Sequence, residues 1–454
     1  MSKQTLLAVV VCATIACYSY KAIAQEEKGV SLEEIFMLAD SESQQINISL
    51  TSAMASDETV KTTESLRLPD VEIALSGSYI GTATLMSRGF SRSGYTTIPY
   101  ATGVGQVVNG AQPTPHWGND LVVRVTQTIY AGGAVSAAVK SAKTAKEITK
   151  LDVEKNRQEV RFLLAGYYLE LFKRQNLLKV IEDNIVLTNL VLQYMRARRK
   201  EGVVIGTDIT RYELQLQGLQ LQATKVSDAV CMANHQLVTT LHLPDSTMIM
   251  PLKPVILWEE HRQEADWQQQ ASAGNVGLKQ AELAIELSKS EVKASRSKML
   301  PGIILVAEDH LVGPYVNDLI PVDANVNSWY IGIGARYNLG SLWNKNHEVK
   351  KSKLLVKQRE QQQAFVRENV QKAVQTDWLN FRTSHIEVET QKKQVELALQ
   401  HYEVTRKRYE NGLALLTDLL DASNTKLAAE MQLVNAEIDL IYNFYKLKYM
   451  TSSL

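Results

Sequence analysis

Asp418 and Asp421 stand three residues apart in the stretch Arg408-Tyr409-Glu410-Asn411-Gly412-Leu413-Ala414-Leu415-Leu416-Thr417-Asp418-Leu419-Leu420-Asp421. At that spacing two carboxylates share one face of a helix. They could act as an acid–base pair, as metal ligands, as helix caps or as a charged lining. The partners that catalysis or metal binding would need are missing. The eight histidines form no HExxH or HxxxH, and none pairs with Cys231 at metal-ligand spacing. There is no GxSxG and no GxxxxGK[ST]. Gly332-Ile333-Gly334 lies inside a strand pattern, and Gly103-Val104-Gly105 inside a loop. Acid pairs such as Glu33-Glu34 and Glu259-Glu260 read as solvated helix faces. Nothing fills the geometric roles of an active site, so neither an enzyme nor a cofactor is expected. Locally, Gly412 breaks one helix, and Thr417 or Asp418 can cap the next.

Composition narrows the field further. Forty-nine Lys and Arg balance forty-nine Asp and Glu in 454 residues, and no basic run is interleaved with aromatics, so nucleic acid is not an expected partner. Residues 1–24 read as a secretory signal, with an early cation at Lys3, an apolar run from Leu6 to Ala16, and Ala22-Ile23-Ala24 before Gln25. A lipoprotein signal acylated at Cys17 is the alternative, although Thr14 stands where such signals usually carry leucine. No later apolar run approaches the roughly 20 residues of a membrane-spanning helix. An exported chain of this kind can enter a membrane only as strands.

The elements around the aspartates are written twice. Gly202, Thr207 and Asp208 match Gly412, Thr417 and Asp418 at a constant offset of 210, which also carries Leu169 to Leu379 and Leu237 to Leu447. Upstream, Ser65-Leu66-Arg67-Leu68-Pro69 resembles Ser297-Lys298-Met299-Leu300-Pro301 at an offset of 232. The excess of 22 falls in the Gly-, Ser-, Thr- and Pro-rich loop 81–117. Each copy reads helix, strand, loop, strand, very long helix, glycine turn, long helix. The expected organisation is a first repeat over 25–240, a proline-containing connection over 241–270 and a second repeat over 271–454.

Strict alternation marks four strands. They are Asp70 to Gly81, with Val71, Ile73, Leu75 and Tyr79 on one side; 121–129; 303–311, broken by Asp309; and Trp329 to Leu339. A sheet on a soluble core would alternate in the same way. Export, lengths of about 9–12 residues and aromatics near strand ends (Tyr79, Trp117, Tyr130, Trp329, Tyr330) favour a membrane barrel instead. Four strands cannot close one, so several copies would share it. The long helices, 134–200 and 345–410, would each span about 100 Å if unbroken. Heptad seams at Leu427, Met431, Val434, Ile438, Ile441 and Tyr445, and at Tyr212, Leu216, Leu219, Ala223, Val226, Val230, Ala233 and Leu237, let helices grip neighbours. A displaced line at Leu433, Leu440, Phe444 and Leu447 gives a second grip. On the second long helix Val370, Val374, Trp378, Phe381, Val395, Leu399, Tyr402 and Tyr409 are the expected apolar contacts. An ordinary two-stranded coiled coil would leave the strands unexplained.

Export signal, duplication, paired strands after a Leu-Pro step, long helices and a G-x4-TD turn in each copy together resemble the TolC-like outer membrane efflux family. The resemblance implies an α+β membrane protein in which three protomers form a helical α-barrel in the periplasm. Each would give four transmembrane strands to a shared twelve-stranded β-barrel in outer membrane lipid. Residues near 242–270 and the C-terminal tail would girdle the tube. It implies a homotrimeric exit duct of a tripartite efflux pump, with a periplasmic membrane-fusion adaptor and an inner-membrane transporter as partners. A type I protein secretion duct and a periplasmic coiled-coil adaptor or scaffold are the alternatives. By the same resemblance Asp418 and Asp421 would line the pore gate. Asp208, Tyr409 and Thr417 would form a latch, and Gly202, Thr207, Gly412 and Leu413 would build the tip turns where the adaptor docks. Ala414 stands where the family's latch has an arginine, and Arg211 could supply a substitute. A ring of six carboxylates would attract cations, divalent ions or protons.

Overall fold

No proline interrupts 134–200 or 346–410, and Gly166 is their only glycine. Each becomes one unbroken helix. The computed structural model describes residues 27–79, 116–202, 204–254, 263–316, 321–322 and 324–454. The processing sites at Cys17 and Gln25 and nearly all of loop 81–117 lie outside the described residues.

In chain order the principal elements are β1 (Glu27–Val30), α1 (Leu32–Glu42), α2 (Gln44–Ser65), β2 (Asp70–Tyr79), β3 (Trp117–Ala131), α3 (Ala134–Lys200) and α4 (Gly206–Thr240). After them come β4 (Met248–Pro251), α5 (Glu264–Gly274), α6 (Val276–Ser297), β5 (Gly302–Gly313), β6 (Tyr315–Val316), β7 (Pro321–Val322), β8 (Val326–Arg336), α7 (Ser341–Asn344), α8 (Asn346–Glu410) and α9 (Leu416–Met450). Both ends of α1 and α2 recur in α5 and α6 at offset 232, and both ends of α4 recur in α9 at offset 210. The compact units cut across this repetition. One draws its described residues from Met1–Ser56, Ala145–Ile285 and Gln358–Leu454, the other from Asp57–Thr144 and Glu286–Lys357.

The second unit holds an antiparallel sheet in the order β2-β3-β5-β8. Its register sorts the side chains by chemistry. One face carries Val71, Val125, Ala307 and Ile331 in a row, then Ile73, Val123, Asp309 and Trp329, then Leu75, Leu121 and Leu311. The opposite face carries Glu72, Arg124, Glu308 and Tyr330 in one row, tied by Arg124–Glu308 at 2.8 Å and Arg124–Glu72 at 3.9 Å. The apolar face is uncovered, with Leu75 77 % and Ile333 76 % exposed, which rules out the soluble-core reading for this sheet. Asp309 sits on the apolar face, as the broken alternation of β5 predicts.

Two details correct the sequence reading. Tyr330 is not an interfacial aromatic: neighbouring residues of a strand face opposite ways, and its hydroxyl donates to Glu308 at 3.3 Å on the polar side. The alternation in β3 ends at a bulge between Thr128 and Tyr130, which brings Tyr130 opposite Ile303 instead of continuing through Ile129.

The first unit is a helical bundle with a short parallel pair, β1 on β4, at one side of its core. The Tyr168 hydroxyl donates to the carbonyls of Val30 and Leu252, and Asn234 bonds both Thr247 and Ile249, so the pair is pinned to α3 and α4. Val30, Leu32, Ile35, Tyr168, Leu237, Trp267 and Leu447 belong to one buried cluster. The expected seam on α4 is buried or half-buried throughout. On α8 the seam runs through Ala398 and Tyr402, and Leu399 faces outward at 41 % exposure, because Ala398 and not Leu399 continues the four-residue step from Tyr402.

Close backbone packing fixes Gly274. A Cβ on Gly274 would lie 2.8 Å from the carbonyl oxygen of Thr451, whereas one on Gly218, within α4, would meet nothing within 4 Å. Gly274→Ala is expected to lower stability by about 1–3 kcal/mol through overpacking. Gly218→Ala is expected to raise it by about 0.5–1 kcal/mol through helix propensity. Thermal unfolding followed by helical circular dichroism measures both; equal midpoints would contradict this packing.

Candidate functional site: two helix turns on one apolar cluster

The turns between α3 and α4 and between α8 and α9 lie in the same unit and share one small core. Leu192, Met195, Ile209, Tyr212, Tyr402 and Leu419 are buried together there, so all four long helices contribute. Each turn begins with a left-handed glycine, Gly202 at φ 80° and Gly412 at φ 74°. At the second turn the Gly412 N–H donates to the Tyr409 carbonyl (3.0 Å) and the Leu413 N–H to the Arg408 carbonyl (2.8 Å). This is a Schellman ending, which uses the φ that glycine adopts without penalty. The Gly202 N–H makes the matching bond to Arg199 at 3.0 Å. Leu413 and Leu415 then stand 77 % and 70 % exposed at the end of the hairpin.

Asp418 is the third residue of α9, and its carboxylate accepts from the Leu415 N–H at 3.0 Å. It satisfies one donor at the helix start, where a negative charge is also favoured by the helix dipole. Thr417 is exposed, and the capping oxygen belongs to Asp418. One turn further on, Asp421 is exposed on the same face, while Leu416, Leu419 and Ala422 turn inward. Thr207 is exposed like Thr417.

Asp208 and Tyr409 line one cavity of about 260 Å³ with Tyr194, Arg198, Val204 and Leu415. Burial, and then the Asp208 charge, push the Tyr409 phenol above its ordinary pKa, so it keeps its proton. No hydrogen bond joins the two side chains within one chain. Arg211 is exposed and, among the described residues, forms no ion pair with an acid.

A cation near Tyr409 comes from α3. Arg198 donates from Nη2 to the carbonyl of Glu410 at 2.6 Å and from Nε to the Tyr194 hydroxyl at 2.8 Å. Tyr194 donates to the same carbonyl at 2.9 Å, and the guanidinium lies 5.3 Å from its ring centroid. Two side chains of the first copy thus cap the last carbonyl of α8. Sequence reasoning passed over them because their acceptor is backbone. The available signal was the basic run Arg196 to Lys200 at a helix C-terminus.

Above the turns, Lys426 is 5 % exposed and pairs with Glu430 at 3.0 Å. Asn184 completes the triangle, donating to Glu430 at 2.8 Å and accepting from Lys426 at 3.3 Å. This buried polar cluster ties α9 to α3. It favours one register, because any slip would strand a charge.

A four-stranded sheet with an uncovered apolar face, long paired helices and two glycine turns on one cluster define the fold of the TolC-like outer membrane proteins. The outer membrane protein VceC of Vibrio cholerae shares it at a TM-score of 0.76 over 93% of this chain and 96% of that one, with 13% identity. Residues 267–450 match the model of the outer membrane efflux protein family. The outer membrane efflux protein BepC of Brucella suis biovar 1 (strain 1330) is 20% identical over 366 residues, 78% of this chain and 77% of that one. The outer membrane protein TolC of Salmonella enteritidis is 23% identical over 190 residues, 41% of this chain and 39% of that one.

Proposed function

We propose that this chain is the outer-membrane exit duct of a tripartite efflux pump. Three copies pass small molecules outward from a periplasmic adaptor and an energised inner-membrane transporter. The observation that carries the reading is the sheet: β2 and β8 are its edges, and one face is apolar and uncovered. Open edges invite pairing with a further strand. Pairing β2 of one copy with β8 of the next closes a twelve-stranded barrel that puts the apolar face toward lipid and the Glu72–Arg124–Glu308 row toward water. In such an assembly the exposed Asp418 and Asp421 line the gate at the hairpin ends. Asp208, Tyr409 and the Arg198 cap govern its closure, and the turns at Gly202, Thr207, Gly412 and Leu413 present the adaptor surface. A periplasmic scaffold would have no use for the apolar sheet face. Cell fractionation with heat-modifiable gel migration separates the two readings. The duct is expected in the outer membrane fraction, as a species whose mobility changes on boiling; a soluble periplasmic protein with unchanged mobility would refute it.

A further inference from the structure

The two copies differ where the strands give way to the long helices: Gly132 packs closely against Ser297 and Leu300, whereas the larger residues of the second copy are left exposed. At offset 210 the first copy has Gly132 and Gly133 where the second has Leu342 and Trp343. Leu342 and Trp343 sit on α7, 46 % and 65 % exposed, and the only residue that short helix buries is Ser341. The cations that follow differ too. In the first copy Lys140 pairs with Glu286 at 2.7 Å and Lys143 with Glu64 at 2.8 Å. Their counterparts Lys350 and Lys353, with Lys351 beside them, are exposed and form no ion pair among the described residues.

The junction lies at the helix-bearing end of the sheet, since Gly302 at the start of β5 pairs with Arg336 at the end of β8. Leu342 and Trp343 therefore follow the transmembrane strand on α7, and the lysines come about 6–10 Å along α8 from its first residue. Tryptophan belongs at the boundary between acyl chains and headgroups. Lysine reaches back to that layer along its flexible stem. The apolar pair and the free cations form one patch with two chemistries at two depths.

We propose that this junction binds anionic phospholipid headgroups of the periplasmic leaflet, with Leu342 and Trp343 in the acyl boundary and Lys350, Lys351 and Lys353 on the phosphates. The proposal rests on the outer-membrane reading above and adds to it a lipid preference confined to the second copy. Charge complementarity selects the occupant: unpaired lysines near a membrane surface attract anionic lipid and gain little from a zwitterionic one.

Native mass spectrometry of the purified oligomer, offered equal amounts of phosphatidylglycerol and phosphatidylethanolamine, tests it. The parent is expected to retain phosphatidylglycerol preferentially. Lys350→Gln/Lys351→Gln/Lys353→Gln should remove that preference by about tenfold or more, with oligomer mass and heat-modifiable migration unchanged. Trp343→Ser should weaken retention of both lipids alike. A parent with no preference, a triple variant that keeps it, or a Trp343→Ser variant that splits the oligomer each overturns the proposal, the last by making the apolar patch a subunit contact. A parent that fails to enter lipid bilayers overturns the outer-membrane reading itself, and the lipid proposal with it.

Discussion

Changing both Asp418 and Asp421 to asparagine should lower the cation preference of the open pore about fivefold and abolish its block by divalent cations. Both side chains are exposed on one face of α9, with Leu416 and Leu419 buried behind them. Three copies would set six carboxylates around one axis. At about 8 Å in water each unit charge contributes roughly 0.5 kcal/mol to a passing cation. Physiological salt, with a Debye length of about 8 Å, removes more than half of it. Six such charges still sum to about 1 kcal/mol, or roughly a factor of five. The double variant also removes the charge that caps α9 at Leu415, but asparagine keeps an acceptor oxygen for that N–H. Reversal potentials in asymmetric KCl measure the effect. Unchanged selectivity would mean that these acids do not line the conducting path.

Arg198→Ala should release the second hairpin from the first and raise the conductance of the otherwise closed channel. The guanidinium and the Tyr194 hydroxyl both donate to the Glu410 carbonyl, and Gly412 begins the turn two residues later. Hydrogen bonds from a charged donor contribute about 1.5–3 kcal/mol. Partial solvent access reduces this, and a value near 1.4 kcal/mol corresponds to about a tenfold shift toward opening. Tyr194→Phe should act in the same direction but less, because Arg198 retains its own bond. Arg198→Lys should fall between, since a single ammonium cannot hold the carbonyl and the hydroxyl in the same fork. Equal closed-state conductance in parent and Arg198→Ala would remove this cap from the account of closure.

Much of the architecture was legible because it repeats. The offsets 210 and 232, set by a few matched residues, reappear as the spacing of helix ends, and strict alternation marked all four strands with Asp309 as the exception. What escaped shares a physical cause: the partner was distant or was backbone. Tyr330 looks like an interfacial aromatic until the register places Glu308 beside it. Lys426 occupies a seam position between Ala422 and Ala429, yet its charge argues against burial until Glu430 and Asn184 are seen to pair with it. Ala398 hides behind the larger Leu399. The glycine turns were readable from residue type. The Arg198 cap was not, since a carbonyl acceptor leaves no mark on the sequence.

Several copies of this chain are expected to enclose one water-filled path across a membrane. Conductance of the purified protein in a planar lipid bilayer, with the oligomer mass measured on the same preparation, tests it most directly. A trimer carrying discrete, cation-preferring channel events is the expected result. A monomer that inserts without conducting, or an assembly that never inserts, would contradict it.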